Sequence, residues 1–170
     1  SKVILVNGDN ENSMNAVQNL SKPVITFGFG EQNTYRASII SENNKVCESF
    51  YFIKNNEKLC KISLSVPGKY NVYNALAAAS VADFMGIDAN IIANSLSSFS
   101  GVHRRFEILG TPNNITVADD FAHHPTEIKS VLSAAMKMGY KKVYAVFQPH
   151  TYSRTAMLLS EFADVLSIAD

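Results

Sequence analysis

Charge surplus, long apolar runs and cysteine are all scarce in this chain of 170 residues. Fifteen Lys and Arg balance fifteen Asp and Glu, so no global field draws nucleic acid or an anionic membrane. No run of Lys and Arg builds a local basic patch, which argues against a nucleic-acid partner. No apolar stretch approaches the roughly 20 residues that span a bilayer, which argues against a membrane. The opening SKVILVNGDNENS has a short apolar run that stops at Asn7-Gly8-Asp9 and lacks a cleavage-site pattern. It reads as a strand, not a signal peptide. Cys47 and Cys60 are the only cysteines. They flank a turn at Asn55-Asn56 at unequal distances, so reduced thiols in a cytosolic protein are the simplest account. The phosphate-cradling pattern GxxxxGKS or GxxxxGKT is missing too; GFGEQN has glycines but neither the lysine nor the spacing. There is no internal repeat and no low-complexity segment.

What is present is enough for a core: 46% of residues are hydrophobic, and the length suits one medium domain or two small ones. VILVNGD has the continuous apolar character of a buried parallel strand. A short helix (ENSMNAVQNL) and a second strand (VITFGFG) complete a βαβ unit, the building block of an α/β sheet. From Tyr35 to Val66 the pattern becomes hairpins, with YRASIIS, KVCESFYFI and LCKISLSV separated by Glu42-Asn43-Asn44 and Lys54-Asn55-Asn56-Glu57. Ile62, Leu64 and Val66 alternate with Lys61, Ser63 and Ser65, so antiparallel strands with one solvated face are expected.

The next helix carries Val72, Leu76, Ala79 and Ala82 at helical spacing, but Ala, Val and Phe also occupy its other faces. The composition predicts a helix buried nearly all round. Gly86 ends it, Asp88 caps a second helix, and Ile91, Ile92, Leu96 and Phe99 should form that helix's inner face. Ser100-Gly101 is the candidate boundary, giving domains 1–101 and 102–170. Beyond it the pattern restarts with strand RRFEILG, turn TPNN, strand ITVADDF and a helix from Pro125 to Met138. Ile128, Val131, Leu132 and Ala135 form that helix's buried stripe, and Gly139 closes it. KKVYAVFQP reads as another buried strand, and a last helix carries Leu159, Phe162, Ala163 and Leu166.

Two polar stretches, DDFAHHPTE (Asp119 to Glu127) and QPHTYSRT (Gln148 to Thr155), fall where a strand should hand over to a helix. In open α/β sheets that carboxyl edge is where ligands bind. A structural reading stands beside this: His124 or a neighbour caps the helix, Pro125 takes its first position, and Glu127 favours the dipole. Adjacent His123 and His124 cannot both face one metal with ordinary geometry, and no i,i+4 histidine pair exists, so no metal site is assigned. Asp120 suits a ribose, a magnesium-bound water or a basic partner. Arg104-Arg105 is either a surface pair or presents an arginine fork to a phosphate. His150 and Arg154 could meet one carboxylate. Asn71 and Asn74 either cap the long helix or offer amides to an adenine edge.

Four motifs occur together in order, and they carry a resemblance. VPGKYNVYNALAAASVA resembles the PGxHNxxNALAA segment of the Mur ligases. GVHRRFEILG, ADDFAHHPTEI and VFQPHTYSRT look like three consecutive signatures of that family's alanine-adding branch. The resemblance implies an α/β chain: the end of a central ATPase-like domain, with a mixed sheet and antiparallel hairpins, then the first half of a Rossmann-like C-terminal domain. It implies a cytoplasmic, ATP- and Mg²⁺-dependent ligase of peptidoglycan precursor synthesis that joins L-alanine to UDP-N-acetylmuramate through an acyl phosphate. In such a reaction the developing charge is met by magnesium, lysine and arginine, and domain closure assembles the site.

By the same resemblance Asn71, Asn74, Arg105 and Asp120 face the nucleotide. Arg105, Asp120 and His123 take part in catalysis, and His123, His150 and Arg154 face the substrates. Three departures alter expected contacts: Tyr70 stands where many relatives have His, Thr151 where some have Arg, and Phe121 where Tyr is common. Lacking a phosphate loop, the 170 residues are expected to be an inactive fragment that binds ATP weakly and is able to self-associate through a cut sheet edge. Two other readings stay open: a ligase that recycles a whole tripeptide onto the same sugar nucleotide, and a non-catalytic nucleotide-binding module.

Overall fold

The computed structural model describes residues 2–40 and 47–170; the expected Glu42-Asn43-Asn44 turn lies outside them. The chain folds as two compact units, residues 1–66 with 70–100, and residues 67–69 with 101–170.

The first unit is built on a five-stranded sheet in simple sequence order. Strands β1 (Ile4–Asn7) and β2 (Val24–Gly28) run parallel, with Ile4 opposite Val24. They are joined by helix α1 (Glu11–Val17), whose first turn is capped by the Asn10 carboxamide accepting from the Ser13 amide at 2.8 Å. Strand β3 (Tyr35–Ile40) pairs parallel with the end of β2, then antiparallel with β4 (Cys47–Lys54). Asn55 and Asn56, both at positive φ (47° and 71°), make the tight turn into β5 (Glu57–Pro67), the backbone that a two-residue hairpin requires. Along β5 Ile62, Leu64 and Val66 are buried while Lys61, Ser63 and Ser65 are exposed, as the alternation predicts.

Helices α2 (Lys69–Phe84) and α3 (Ala89–Ser98) add Val72, Ala75, Leu76, Ala79 and Ile92 to the core formed by Tyr35, Phe50, Phe52 and the apolar face of β5. Fully burying an aromatic or a large aliphatic side chain contributes about 1.5–3 kcal/mol, so this cluster is the unit's main source of stability. Gly86 at φ 83° turns the chain out of α2, and the Asp88 carboxylate caps α3 through the Asn90 amide at 2.8 Å. Two expectations fail here. Helix α2 is not buried all round: Asn74, Ala78 and Val81 are exposed on the face away from the core. On α3 only Ile92 is buried, with Leu96 packed against the core; Ile91 and Phe99 are 58% and 45% exposed.

In the second unit β6 (Glu107–Gly110) and β7 (Val117–Asp119) form an antiparallel pair around a short 3₁₀ turn at Pro112–Asn114. Arg104 and Phe106 have φ of 58° and 48°, so the strand begins only at Glu107. Helix α4 (Pro125–Met136) buries Ile128, Leu132, Ala134 and Ala135, and packs Ile128 and Leu132 against Phe162 and Val165 of helix α6 (Leu159–Leu166); helix α5 (Tyr152–Met157) precedes α6. KKVYAVFQP forms no strand. A buried parallel strand needs a partner on the sheet, and here Tyr144 and Val146 are exposed. The segment is held by Asp170 instead: the Val143 amide donates to its carboxylate (2.8 Å), and the Asp170 amide donates to the Val143 carbonyl (2.9 Å).

Candidate functional site

In the second unit DDFAHHPTE is the loop between β7 and α4, and its polar groups divide into structural and available ones. His124 is the N-cap of α4: its Nδ1 accepts from the Thr126 amide at 3.3 Å. Pro125 takes the first helical position, where its missing amide costs nothing. The Glu127 carboxylate reaches back to the amides of His123 (3.0 Å) and His124 (3.2 Å), completing a capping box. Partial burial works against the charge on Glu127. The His123 amide and ring, the His124 amide and the positive charge of Arg105 outweigh it, and its carboxyl is held below the usual range. His123 is thus the histidine left to the loop. Its Nδ1 lies 2.9 Å from the Phe121 carbonyl and 3.6 Å from Glu127 Oε2, and its ring meets Phe121 edge-on at 5.3 Å.

Asp119 and Asp120 tie this loop to the Arg104-Arg105 turn. Asp120 accepts from the Phe106 amide (2.8 Å) on one oxygen and from the Ala122 amide (2.7 Å) on the other. A carboxylate has about four acceptor positions, so each oxygen keeps one for a ligand. Asp119 holds Arg104 Nε at 3.0 Å, and the Arg104 guanidinium lies 4.9 Å over the Phe121 ring. Arg104 is therefore committed to the loop. Arg105, between two residues of positive φ, is exposed and its side chain makes no hydrogen bond among the described residues.

Arg154, on α5, donates from Nη1 to the His123 carbonyl at 3.4 Å. The two polar stretches thus meet in one loop cluster, although the strand expected before the second is absent. His150 is exposed. Thr151, a β-branched residue at φ 69°, starts α5 in a conformation such residues rarely adopt; strain of this kind costs about 1–3 kcal/mol and gathers at functional loops.

In the first unit Asn71 and Asn74 lie inside the first two turns of α2, so neither is its cap, and Asn74 Nδ2 donates to Asn71 Oδ1 at 3.1 Å. Tyr73 of the same helix reaches a centre that sequence reading missed, in the loop after β1. The Asp9 carboxylate accepts from the amides of Phe29 (2.5 Å) and Gly30 (3.1 Å), from Asn33 Nδ2 (2.8 Å) and from the Tyr73 hydroxyl (3.0 Å). Gly8 is required beside it, because a Cβ there would lie 2.0 Å from Asn33 Oδ1. A turn-forming Asn-Gly-Asp after β1 was the only signal, and it says nothing about partners so far along the chain.

The sequence matches the Mur ligase middle domain over residues 1–82 and the Mur ligase glutamate ligase domain over residues 104–170. The chain belongs to the Mur ligase family. It is 44% identical to the UDP-N-acetylmuramate–L-alanine ligase of Clostridium perfringens over 167 residues, which is 98% of this chain and 36% of that relative. Among solved structures it resembles the UDP-N-acetylmuramate–alanine ligase of Thermotoga maritima, at 34% identity and a TM-score of 0.72, over 86% of this chain and 32% of that one. It also resembles the murein peptide ligase of Psychrobacter arcticus, at 28% identity and a TM-score of 0.63, over 88% and 32%. This Mur ligase chain is therefore a homologue of the L-alanine ligases that spans about a third of their length. Among its described residues no group of three or more His, Cys, Asp or Glu is able to hold a metal ion, and none of their helices is long and apolar enough to cross a membrane.

Proposed function

We propose that this chain contributes nucleotide-facing and substrate-facing residues to a cytoplasmic ligase that joins L-alanine to UDP-N-acetylmuramate at the expense of ATP. Residues 1–101 serve as the later part of its central domain and 102–170 as the first part of its C-terminal domain. The observation that supports this most is the division of labour in the 104–127 cluster. Asp119 and Phe121 consume Arg104, Glu127 and His124 serve the helix, and Arg105 is left as an exposed fork of donors suited to a phosphate.

A carboxylate is a poor electrophile until it is phosphorylated. The ligase's work is then to orient the γ-phosphate and to stabilise charge as it moves. Arg105 offsets that charge, and the free acceptor positions of Asp120 take ribose hydroxyls. Asn71 and Asn74 present amides to the adenine. His123, His150 and Arg154 face the sugar nucleotide and the incoming amino acid, with Arg154 set against the loop by the His123 carbonyl. Magnesium supplies charge neutralisation when bound; with no ligand cluster among the described residues, no residue of this chain is assigned to it.

Among the solved structures, the higher identity to the alanine ligase (34%) than to the murein peptide ligase (28%) supports L-alanine over a tripeptide as the amine. The test is phosphate release by the full-length enzyme carrying this chain, with UDP-N-acetylmuramate and either L-alanine or the tripeptide. Turnover with L-alanine is expected; turnover with the tripeptide alone would overturn the reading.

A further inference from the structure

We propose that Asp9 is a positioning residue, which through the Tyr73 hydroxyl fixes the first turns of α2 and thereby the amides of Asn71 and Asn74. The inference rests on the nucleotide role proposed for those two asparagines, and adds two residues that play no part in it. Asp9 follows β1 at the carboxyl edge of the parallel strands. Donors from three separate segments converge on it: two amides after β2, the Asn33 side chain before β3, and the phenol of α2. Four donors fill a carboxylate's acceptor positions, so Asp9 is saturated and has no room for a ligand of its own. It is a clamp that joins two loops to a helix.

The clamp has a second contact. The Phe29 ring packs edge-on against Tyr73, with centroids 4.6 Å apart and planes at 88°. Gly28 leaves room for the Asp9 carboxylate, since a Cβ there would lie 2.5 Å from it. Tyr73 sits between Asn71 and Asn74 in sequence, and Asn74 donates to Asn71; fixing the Tyr73 backbone therefore fixes the rotation of the helix face that carries both. Burial and the Asp9 charge also push the Tyr73 phenol up to about 12, so its proton stays in place as the donor.

The far end of α2 offers an internal control. There the Tyr35 hydroxyl donates to Asp83 at 2.7 Å, the same atom pair in the same unit, away from Asn71 and Asn74. In the full-length ligase, Tyr73→Phe should raise the KM for ATP about tenfold, the equivalent of one lost hydrogen bond, with kcat and the KM for L-alanine unchanged. Tyr35→Phe should leave the KM for ATP at the wild-type value while lowering the melting temperature comparably. An unchanged KM for ATP in Tyr73→Phe would overturn the inference alone, and so would an equal rise in Tyr35→Phe, which would mark a general loss of helix stability. Wild-type turnover that does not need ATP would overturn the nucleotide role of Asn71 and Asn74, and this inference with it.

Discussion

Arg104 and Arg105 are neighbours of the same type with opposite fates, and the difference is set by what lies within reach. Arg104 has Asp119 at 3.0 Å and the Phe121 ring at 4.9 Å; the Arg105 side chain makes no hydrogen bond among the described residues and acts on Glu127 through its charge. The bare dipeptide left a surface pair and a phosphate-facing arginine both open, because the choice depends on backbone turns at Arg104 and Phe106 that no motif spells out. The resemblance pointed to Arg105, and the structure leaves its side chain exposed; its role at a phosphate is our proposal. Asp9 and Tyr73 were not legible at all, since their link spans 64 positions of sequence. They make a sharp prediction at this scale. Tyr73 has its phenol raised to about 12 by burial, the hydrogen bond to Asp9 and that carboxylate's charge, against about 10 for a free tyrosine. A pKa raised on folding means stability present below the unfolded value and lost as pH climbs through the folded one. Ultraviolet titration of this chain should show late-ionising tyrosines, Tyr73 at about pH 12 and Tyr35 also above its usual range through burial and Asp83, together with unfolding of the first unit, and Tyr73→Phe should shrink that step. A high-pH ionisation step of unchanged amplitude in Tyr73→Phe would contradict the assignment.

At the scale of elements, patterns of period two and period 3.6 identified most strands and helices, and the turns at Asn55-Asn56 and Gly86 fell where predicted. They failed where burial depends on neighbours. The alanine-rich α2 suggested a helix covered on every side, yet the core covers one face only. KKVYAVFQP has the texture of a buried strand, but without a paired neighbour it takes no ladder. The start of α4 was legible in part: a cap at His124 or a neighbour, Pro125 at the first position and a favourable Glu127 were expected, while the capping box that Glu127 closes came from the structure. Replacing Glu127 by Ala removes the acceptor for two otherwise unpaired amides, and should destabilise the second unit by about 1 kcal/mol. Urea unfolding of Glu127→Ala and Glu127→Gln would check this. Gln keeps an acceptor oxygen and should lose less; an equal loss in both would mean that charge, not the capping geometry, carries the effect.

For the whole molecule, the family and the α/β class were legible because four motifs occur in order, and the matches over residues 1–82 and 104–170 agree with them. The detailed roles were less legible, because Asp120, His123 and His124 each proved to hold a backbone contact as well as any contact with a ligand. We propose that Arg105, exposed on its turn, meets the transferring phosphate of an L-alanine-adding ligase. The most direct measurement is UDP-N-acetylmuramate- and L-alanine-dependent phosphate release by the full-length enzyme and its Arg105→Ala variant. A fall in kcat/KM for ATP of about 100-fold or more is expected, the scale of a lost charge-stabilising donor. A variant that stays within about threefold of wild type, with its fold intact, would contradict it.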